Sequence, residues 1–340
     1  MNIYDIAKLA NTSTATVSRA LNDKTGVSDK TRKKILKIVN ESGYVLNSFA
    51  QGLNHGSIKT VGVLCYDFND LYCARCISVL ERLLRENGYN MILCSTGIEE
   101  TSKKKHFDIL LSKKVDAIFL VSSKYSINID NEYIAKAAAE IPVALLNSYI
   151  NVDNIYCIVC DDRLAMEEAI SFLVSHGHNR IAYLHGELIF SGKRQLQGYL
   201  DGITANGLEA DRRLIVNNTF NGVTLLSDGE QMTKQLLEAG IDFTAVLVSD
   251  DPYAAGAMKA LQAAGKKIPG DVEIIGYDNS SVCDYTAPEL SSIDSKVDMI
   301  SDLAVRFFLQ KVKGESVPKT TTLAANIVHR GSTITILEAS

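Results

Sequence analysis

From residue 57 onward the chain alternates between short β-rich runs and amphipathic helices. The first series of apolar runs predicts buried parallel strands at Thr60–Cys65, Asn90–Ser95, Ala117–Val121 and Pro142–Leu146. The alternation restarts after Cys160 and predicts strands at Arg180–Leu184, Ala245–Val248 and Val272–Gly276. Such alternation is typical of doubly wound α/β domains, so its restart predicts two such lobes in tandem.

Helices are predicted between these strands, because apolar residues recur there at helical spacing. They are expected at Ile77–Asn87, Thr101–Ser112, Leu164–His176, Lys193–Asn206, Leu225–Ala239 and Tyr253–Ala264. Ligands of doubly wound folds bind beyond the carboxyl ends of the strands. Two facing lobes would therefore form a cleft lined by strand-end loops.

Residues 2–22 have a different pattern, which predicts two short helices joined by a tight turn. The first helix carries apolar residues at helical spacing and ends at Asn11, a residue type that tolerates the left-handed conformation. Ser13 is a good N-cap for a second helix, Thr14–Leu21. The outer face of this helix presents small residues and one arginine, which suits entry into a DNA major groove: Thr14, Ala15, Ser18 and Arg19.

Two neighbouring features favour a nucleic-acid-binding module over a plain helical hairpin. A third helix is predicted from Ser28 to Ser42. Residues 1–55 carry eight Lys and Arg against four Asp and Glu, whereas the whole chain has a net charge of −5. A basic head on an acidic body is typical of a DNA-binding domain attached to a domain that does not bind DNA.

Ordered motifs along essentially the whole chain resemble the lactose/galactose repressor (LacI/GalR) family. In the head these are Tyr4-Asp5-Ile6-Ala7, Ser13 to Asn22, Val27 to Arg32 and Gly43-Tyr44. In the body they are Val61-Gly62-Val63, Gly177 to Ala182, Ser249-Asp250-Asp251, Gly256-Ala257, Ile274 to Asp278 and His329 to Thr333.

The resemblance implies a helix-turn-helix head at residues 1–44, a hinge helix or linker at 45–56, and an effector-binding and dimerisation body at 57–340. The body is expected to be like the periplasmic binding proteins. Its N-lobe would comprise about 57–160 and 292–320, and its C-lobe about 161–291 and 321–340. The implied function is a sequence-specific transcriptional regulator, most simply a repressor of palindromic operator DNA that is controlled by a sugar-like effector.

Site residues are expected in the head, the hinge and the strand-end loops. Thr14, Ala15 and Arg19 would read bases, with Ser18 on the same helix face. Phosphates or the adjacent backbone would contact Asn2, Tyr4, Ser13, Thr16, Asn22, Thr31 and Asn47. By resemblance, Leu53 would wedge into the minor groove. Also by resemblance, the effector would contact Asp70, Tyr72, Asn147, Asp161, Lys193, Phe220, Asp250 and Asp278.

Two other classes of protein fit the sequence less well. An enzyme is disfavoured because the sequence has no phosphate loop, dinucleotide fingerprint or nucleophile elbow, and no cofactor is expected. A sugar-binding module for transport or sensing, with the head serving only in assembly, would need export. No apolar run is long enough for a membrane span and no signal peptide is apparent, so a cytoplasmic location is expected.

The cysteines and the C-terminal segment bear on metal sites and assembly. The chain has seven cysteines, an odd number that disfavours a disulfide framework. Pairing of Cys73-x-x-Cys76 with Cys157-x-x-Cys160 into a metal site is less favoured than burial as small apolar residues. Only seven residues follow Thr333, too few for a coiled coil, so a homodimer is predicted.

Overall fold

The computed structural model describes residues 1–21, 24–43, 57–126, 132–218 and 225–334. The chain divides into two compact units, Met1–Ile58 and Lys59–Ser340. The predicted site residues Asn22, Asn47, Leu53 and Phe220, and the hinge at 45–56, lie outside the described residues. Among the residues that are described, no helix is long and apolar enough to cross a membrane.

Three helices form the described part of the first unit: α1 (Ile3–Ala10), α2 (Thr14–Leu21) and α3 (Asp29–Ser42). The predicted end of α1 is confirmed, because Asn11 is left-handed with φ 54° and ψ 54°. Ser28 caps α3 by accepting the Thr31 N–H. Ile6, Val17 and Ile35, one from each helix, are fully buried and form the centre of a small core.

The second unit begins with the alternation that the sequence predicts. Its first half contains β1 (Thr60–Cys65), α4 (Leu71–Glu86), β2 (Asn90–Ser95), α5 (Glu100–Ser112), β3 (Ala117–Val121), α6 (Glu132–Glu140), β4 (Val143–Leu146) and β5 (Ile155–Cys160). The next part contains α7 (Asp162–Ser175), β6 (Ile181–His185), α8 (Phe190–Ala205), β7 (Ile215–Asn217), α9 (Leu226–Glu238), β8 (Ala245–Val248), α10 (Asp251–Ala263) and β9 (Glu273–Tyr277). The last part contains α11 (Val282–Tyr285), β10 (Ser291–Asp294), α12 (Val297–Val312), β11 (Thr320–Leu323) and β12 (Asn326–Val328).

Two six-stranded sheets define two lobes within this unit. The N-lobe sheet has the order β11-β5-β4-β3-β1-β2, and the C-lobe sheet has the order β12-β10-β9-β8-β6-β7. All strand pairs are parallel except β10 with β12. In each sheet the order reverses beside the first strand of the lobe, so the switch points lie between β1 and β3 and between β6 and β8. The predicted pair of doubly wound lobes is confirmed.

The chain crosses between the lobes slightly later than predicted. The late crossings were expected near residues 292 and 321. Instead, β10 (Ser291–Asp294) still pairs with β9 of the C-lobe, and β11 (Thr320–Leu323) pairs with β5 of the N-lobe. The residues of each strand stay in their sheet because their backbone N–H and C=O groups form hydrogen bonds with the neighbouring strand. The crossings therefore follow residues 294 and 323.

Apolar layers cover both faces of each sheet, which explains why the central strands read as continuous apolar runs. Cys157 and Cys160 lie on opposite faces of β5, in different layers. Cys73 and Cys76 are both buried against the N-lobe sheet. The expectation that the cysteines act mainly as buried apolar residues is confirmed for all but Cys94, which is half-buried.

Two helix starts differ notably from the prediction, and both differences bear on the cleft. Helix α4 was predicted to begin at Ile77, but it begins at Leu71 because Asp70 caps it, accepting the Cys73 N–H at 2.8 Å. Helix α8 was predicted from Lys193 and begins at Phe190. The Asp70 cap sets the start of α4, whereas the first turn of α8 contains Ser191 and Gly192, which interrupt its apolar period.

Candidate functional site

The second helix of the head presents its predicted recognition face to solvent. Ala15 and Arg19 are exposed, and Thr14 and Ser18 are half-buried. The opposite face is buried through Val17 and Ala20, so the helix is anchored by apolar contacts on one side. Its N-terminus is fixed by Ser13, whose Oγ accepts the Thr16 N–H at 3.2 Å. The exposed face is thus rigidly held and offers small side chains and one guanidinium.

Three predicted phosphate contacts lie in the first turns of the three helices. Tyr4, Thr16 and Thr31 occupy these turns, and the Tyr4 side chain is 73% exposed. Helix N-termini attract phosphate, because their N–H groups and dipole favour negative charge. Asn2 caps α1, and its Oδ1 accepts the Tyr4 N–H at 2.9 Å. In return, the backbone N–H of Asn2 donates to Asp5 Oδ2 at 2.8 Å.

Two basic side chains of the head stabilise its fold. Arg32 of α3 donates to the carbonyl of Ala20 at 3.2 Å and to that of Lys24 at 2.7 Å. Lys34 donates to the carbonyl of Ala10 at 2.9 Å. These bonds satisfy carbonyls at and just beyond the C-terminal ends of α1 and α2. Part of the basic charge of the head therefore holds its helices together.

The body contains a cleft at the place that its sheet topology predicts. Its cavity of about 100 Å³ is lined by the loops after β1, β3 and β4 of the N-lobe and by those after β6, β8 and β9 of the C-lobe, with the start of α8. Four of these strands, β1, β3, β6 and β8, flank the two topological switch points, where ligands of such sheets bind.

The N-lobe wall carries aromatic rings, hydroxyls and an amide. Its lining residues are Tyr66, Asp70, Tyr72, Ser122, Ser123, Lys124 and Asn147. Tyr66 donates its hydroxyl to Asp70 Oδ2. Asn147 is 8% exposed, and its Oδ1 has no hydrogen-bond partner. A buried unpaired acceptor is costly, so this oxygen is suited to accept a hydrogen bond from a ligand.

The C-lobe wall adds three further carboxylates and several neutral polar groups. Its lining residues are His185, Gly186, Glu187, Ile189, Ser191, Gly192, Gln195, Ser249, Asp250, Tyr253, Tyr277 and Asp278. Asp250 Oδ2 accepts the Ser249 hydroxyl at 2.9 Å. Tyr277 donates its hydroxyl at 2.7 Å to Asp162, which lies fully buried behind the cleft.

Several lining residues have a left-handed or otherwise positive φ. Ser122, Asn147 and Asp278, which follow β3, β4 and β9, have φ values of 146°, 58° and 91°. Such conformations are unfavourable for residues other than glycine and are found preferentially at functional sites. Here they turn the chain sharply at the strand ends that line the cleft.

Burial and mutual repulsion shift the ionisation of the cleft carboxyls. Burial, with the charge of Asp70 next in importance, raises the pKa of Asp250 to about 7. Burial, with the charge of Asp250 next in importance, raises the pKa of Asp278 well above its usual range. Burial also raises the pKa of Asp162 to about 7. The cleft thus concentrates acidic groups that are poorly hydrated.

Five of the eight predicted effector residues line this cavity: Asp70, Tyr72, Asn147, Asp250 and Asp278. Phe220 lies outside the described residues. Two predicted residues do not line the cavity in this structure. Lys193 is exposed on α8, and the cavity is instead lined by its neighbours Gly192 and Gln195.

Asp161 is the second predicted residue that lies outside the cavity lining. It follows β5, which lies beyond β4 and away from the switch point. Its carboxylate caps α7 and pairs with Arg194 at 2.7 Å, so it is already engaged outside the cavity lining.

Sequence reasoning missed the loops after β3 and β6. Ser122, Ser123 and Lys124 follow β3, and His185, Gly186 and Glu187 follow β6. Both loops lie beside the switch points, so the strand order would have identified them. That order cannot be read from the periodicity of the sequence. Among the described residues no group of His, Cys, Asp and Glu is arranged to hold a metal ion.

Comparisons with known proteins agree with both parts of the structure. Residues 2–47 match the model described as bacterial regulatory proteins, lacI family, and residues 170–333 match a periplasmic binding protein-like domain. An HTH-type transcriptional regulator from Lachnoclostridium phytofermentans is 38% identical over 98% of this chain and 99% of its own length. The HTH-type transcriptional regulator GalR of Escherichia coli is 30% identical over 99% of this chain and 97% of its own length.

A solved structure of the Lac repressor dimer bound to operator and the anti-inducer ONPF matches with a TM-score of 0.85 and 25% identity. That match covers 98% of this chain and 99% of the other. These relatives are transcriptional regulators and not enzymes. The chain is a helix-turn-helix transcriptional regulator and belongs to the LacI family.

Proposed function

We propose that the protein is a cytoplasmic repressor that binds palindromic operator DNA as a homodimer and responds to a polyhydroxylated small molecule in the cleft. The observation that carries this proposal is the cavity at the two switch points, lined by carboxylates, hydroxyls and tyrosine rings. Groups of this kind suit a sugar or a related polyol, because hydroxyls pair with the acids and ring faces pack on aromatics. The head supplies the DNA-recognition helix in the same chain.

Dimeric binding follows from the size of the head. A single helix-turn-helix covers one half-site, and two are needed for specific affinity in the nanomolar range. The solved Lac repressor structure is a dimer on its operator, which supports the same arrangement for this chain. Thr14, Ala15 and Arg19 would read base edges, with Ser18 beside them. Asn2, Tyr4, Ser13, Thr16 and Thr31 would hold the phosphate backbone.

Control by a ligand follows from the position of the cleft. Because residues of both lobes line it, a bound molecule would favour one relative position of the lobes over others. A ligand that prefers one DNA-binding state by about 1–3 kcal/mol would shift operator affinity roughly 5- to 150-fold.

Selection of genomic fragments on the purified protein tests the DNA-binding part of the proposal. We expect enrichment of a palindromic site that is bound by two chains, with the stoichiometry measured by light scattering of the complex. Recovery of no common palindrome would contradict the proposal. The ligand part is tested by a thermal-shift screen of sugars and polyols, followed by operator titration with each compound that stabilises the protein.

A further inference from the structure

The lining of the cleft contains four carboxyl groups besides its hydroxyls, which can both donate and accept hydrogen bonds. Asp70, Asp250 and Asp278 bring three carboxylates to one cavity, and Glu187 adds a fourth. Asn147 contributes a buried amide oxygen that lacks a partner in the structure. This oxygen is an observation independent of the acids, and it also calls for a donor.

Positive charge in the lining is scarce and already engaged. Lys124 is the only Lys or Arg among the described residues that line the cavity. Its Nζ lies 3.1 Å from Glu187 Oε2 and 4.2 Å from the centre of the Tyr66 ring. Lys124 also lowers the pKa of Asp250, but it is a single cation facing the four carboxyl groups of the lining.

The three remaining acids are only partly satisfied by the protein. Asp70 caps α4 and accepts the Tyr66 hydroxyl, and Asp250 accepts the Ser249 hydroxyl. Neutral donors stabilise each carboxylate but do not reduce the repulsion between them. A ligand that brings a positive charge would remove this repulsion and gain charge-assisted hydrogen bonds at the same time.

We propose that the effector of this cleft carries a protonated amine, as in an amino sugar or an amino polyol, which lies against Asp70, Asp250 and Asp278 and donates to Asn147 Oδ1. This inference rests on the proposed control by a cleft ligand and narrows its chemistry. Anionic ligands, including sugar phosphates, are rejected because the cleft would place their charge among unbalanced carboxylates. The raised pKa values of Asp250 and Asp278 show that their negative charges are unfavourable in the ligand-free cleft, where either a proton or a bound cation relieves the repulsion.

Matched pairs of small molecules test this inference by titration calorimetry in phosphate buffer at pH 7.5, which contains no competing amine. The pairs are glucosamine with glucose, galactosamine with galactose, mannosamine with mannose, and glucamine with sorbitol. N-acetylglucosamine and glucose 6-phosphate serve as neutral and anionic analogues. We expect at least one amine to bind about 10- to 100-fold more tightly than its hydroxyl partner, the range that a charged hydrogen bond provides.

The variant Asp278→Asn tests whether the acids cause this preference, since it removes a group that can carry a negative charge beside the amine, with almost no change in shape. Asparagine also tolerates the positive φ of this position. We expect it to reduce amine affinity about tenfold or more and to leave a weakly bound neutral partner much less affected. Asp242→Asn, which changes an exposed acid of the same lobe outside the lining, should retain the wild-type preference.

The inference is overturned if no amine of the panel binds, if a neutral or phosphorylated partner binds equally well, or if Asp278→Asn keeps the full preference. Operator titration with the bound compound separates this inference from the proposed function. A neutral sugar that changes operator affinity would support regulation through the cleft and would refute the inference that the effector carries an amine. An amine that binds without changing operator affinity would support the amine preference of the cleft and would refute regulation through it.

Discussion

Lys124 and Glu187 form an ion pair across the cleft, with Lys124 Nζ 3.1 Å from Glu187 Oε2. Lys124 follows β3 of the N-lobe and Glu187 follows β6 of the C-lobe, so the pair joins the two switch points. Ser191 adds a second bridge by donating its hydroxyl to Ser123 Oγ at 3.0 Å. These contacts hold the lobes together in the structure, and any ligand in the cleft must fit beside them.

Glu187→Gln should destabilise the body. The Lys124 side chain is only 9% exposed, and the substitution removes the carboxylate charge that lies 3.1 Å from its ammonium. We expect a loss of about 1–3 kcal/mol, the range for hydrogen bonds to charged groups, and a lower Tm in thermal unfolding.

Glu132→Gln is the matched control, because Glu132 pairs with Lys136 at 2.8 Å where both side chains are 64% or more exposed. Exposed pairs contribute little to stability, so its Tm should stay close to that of the wild type. Equal effects of the two substitutions would show that the cross-cleft pair has no special role.

Asp250→Asn should stabilise the ligand-free body, and the gain should depend on pH. Asp250 has a pKa of about 7 in the folded protein and about 3.9 when unfolded, so folding favours its protonated form. Ionisation of this carboxyl therefore destabilises the folded protein increasingly as pH rises from about 4 to 7. The destabilisation reaches its full size above about pH 7. The groups that shift its pKa are Asp70, Asp251, Ser249 and Lys124.

The comparison is the Tm difference between Asp250→Asn and the wild type at pH 7.5 and pH 5. Each pKa unit corresponds to about 1.4 kcal/mol, so we expect a clear rise in Tm at pH 7.5 that shrinks at pH 5. Asparagine can still accept the Ser249 hydroxyl, which keeps the local hydrogen bond. An equal rise in Tm at both pH values would show that the charge of Asp250 does not cause it.

Arg19→Ala and Lys33→Ala should affect DNA binding in different ways. Arg19 lies on the exposed recognition face, so its loss should cost about 1–3 kcal/mol on the selected palindrome and relax specificity at one base pair. Lys33 is exposed on α3, where its loss should weaken binding similarly on all sequences and reduce the salt slope by about 1. Titrations at several salt concentrations on matched and scrambled sites measure both effects. A uniform loss for Arg19→Ala would contradict base recognition.

Arg32→Met should destabilise the head, because the Arg32 guanidinium bonds the carbonyls of Ala20 and Lys24. Methionine keeps the apolar stem and removes both bonds, with an expected loss of about 1–3 kcal/mol. Amide hydrogen exchange in α1 and α2 of the full-length chain provides the measurement. Lys30→Met, at an exposed position of the same helix, should leave this exchange unchanged. Unaltered protection in Arg32→Met would show that the cation does not brace the helices.

Periodicity predicted the central elements well, because buried parallel strands leave an unambiguous apolar signature. Thr60–Cys65, Asn90–Ser95 and Ala245–Val248 begin and end where they were expected. The late elements β10, α12, β11 and β12 were not predicted. The short strands among them are weakly apolar, and they are stabilised by partners far away in the sequence.

Asp250 and Asp278, which follow strands near the switch points, line the cavity as the sequence predicts. Asp161 lies outside the lining, and the identity of a carboxylate does not show that Arg194 pairs with it. Lys193 also lies outside the lining, because a shift of helix phase by one residue moves a side chain from a buried face to solvent. Such facts belong to packing and strand order, which local sequence patterns do not contain.

The central claim is that occupancy of the cleft sets the affinity for operator DNA. The direct measurement is a titration of the selected palindrome with wild-type protein, with and without a saturating cleft ligand identified by calorimetry. We predict a 5- to 150-fold change in Kd, which corresponds to a coupling of about 1–3 kcal/mol, and its loss in Asp278→Asn at the same ligand concentration. An identical Kd with and without saturating ligand would contradict the claim.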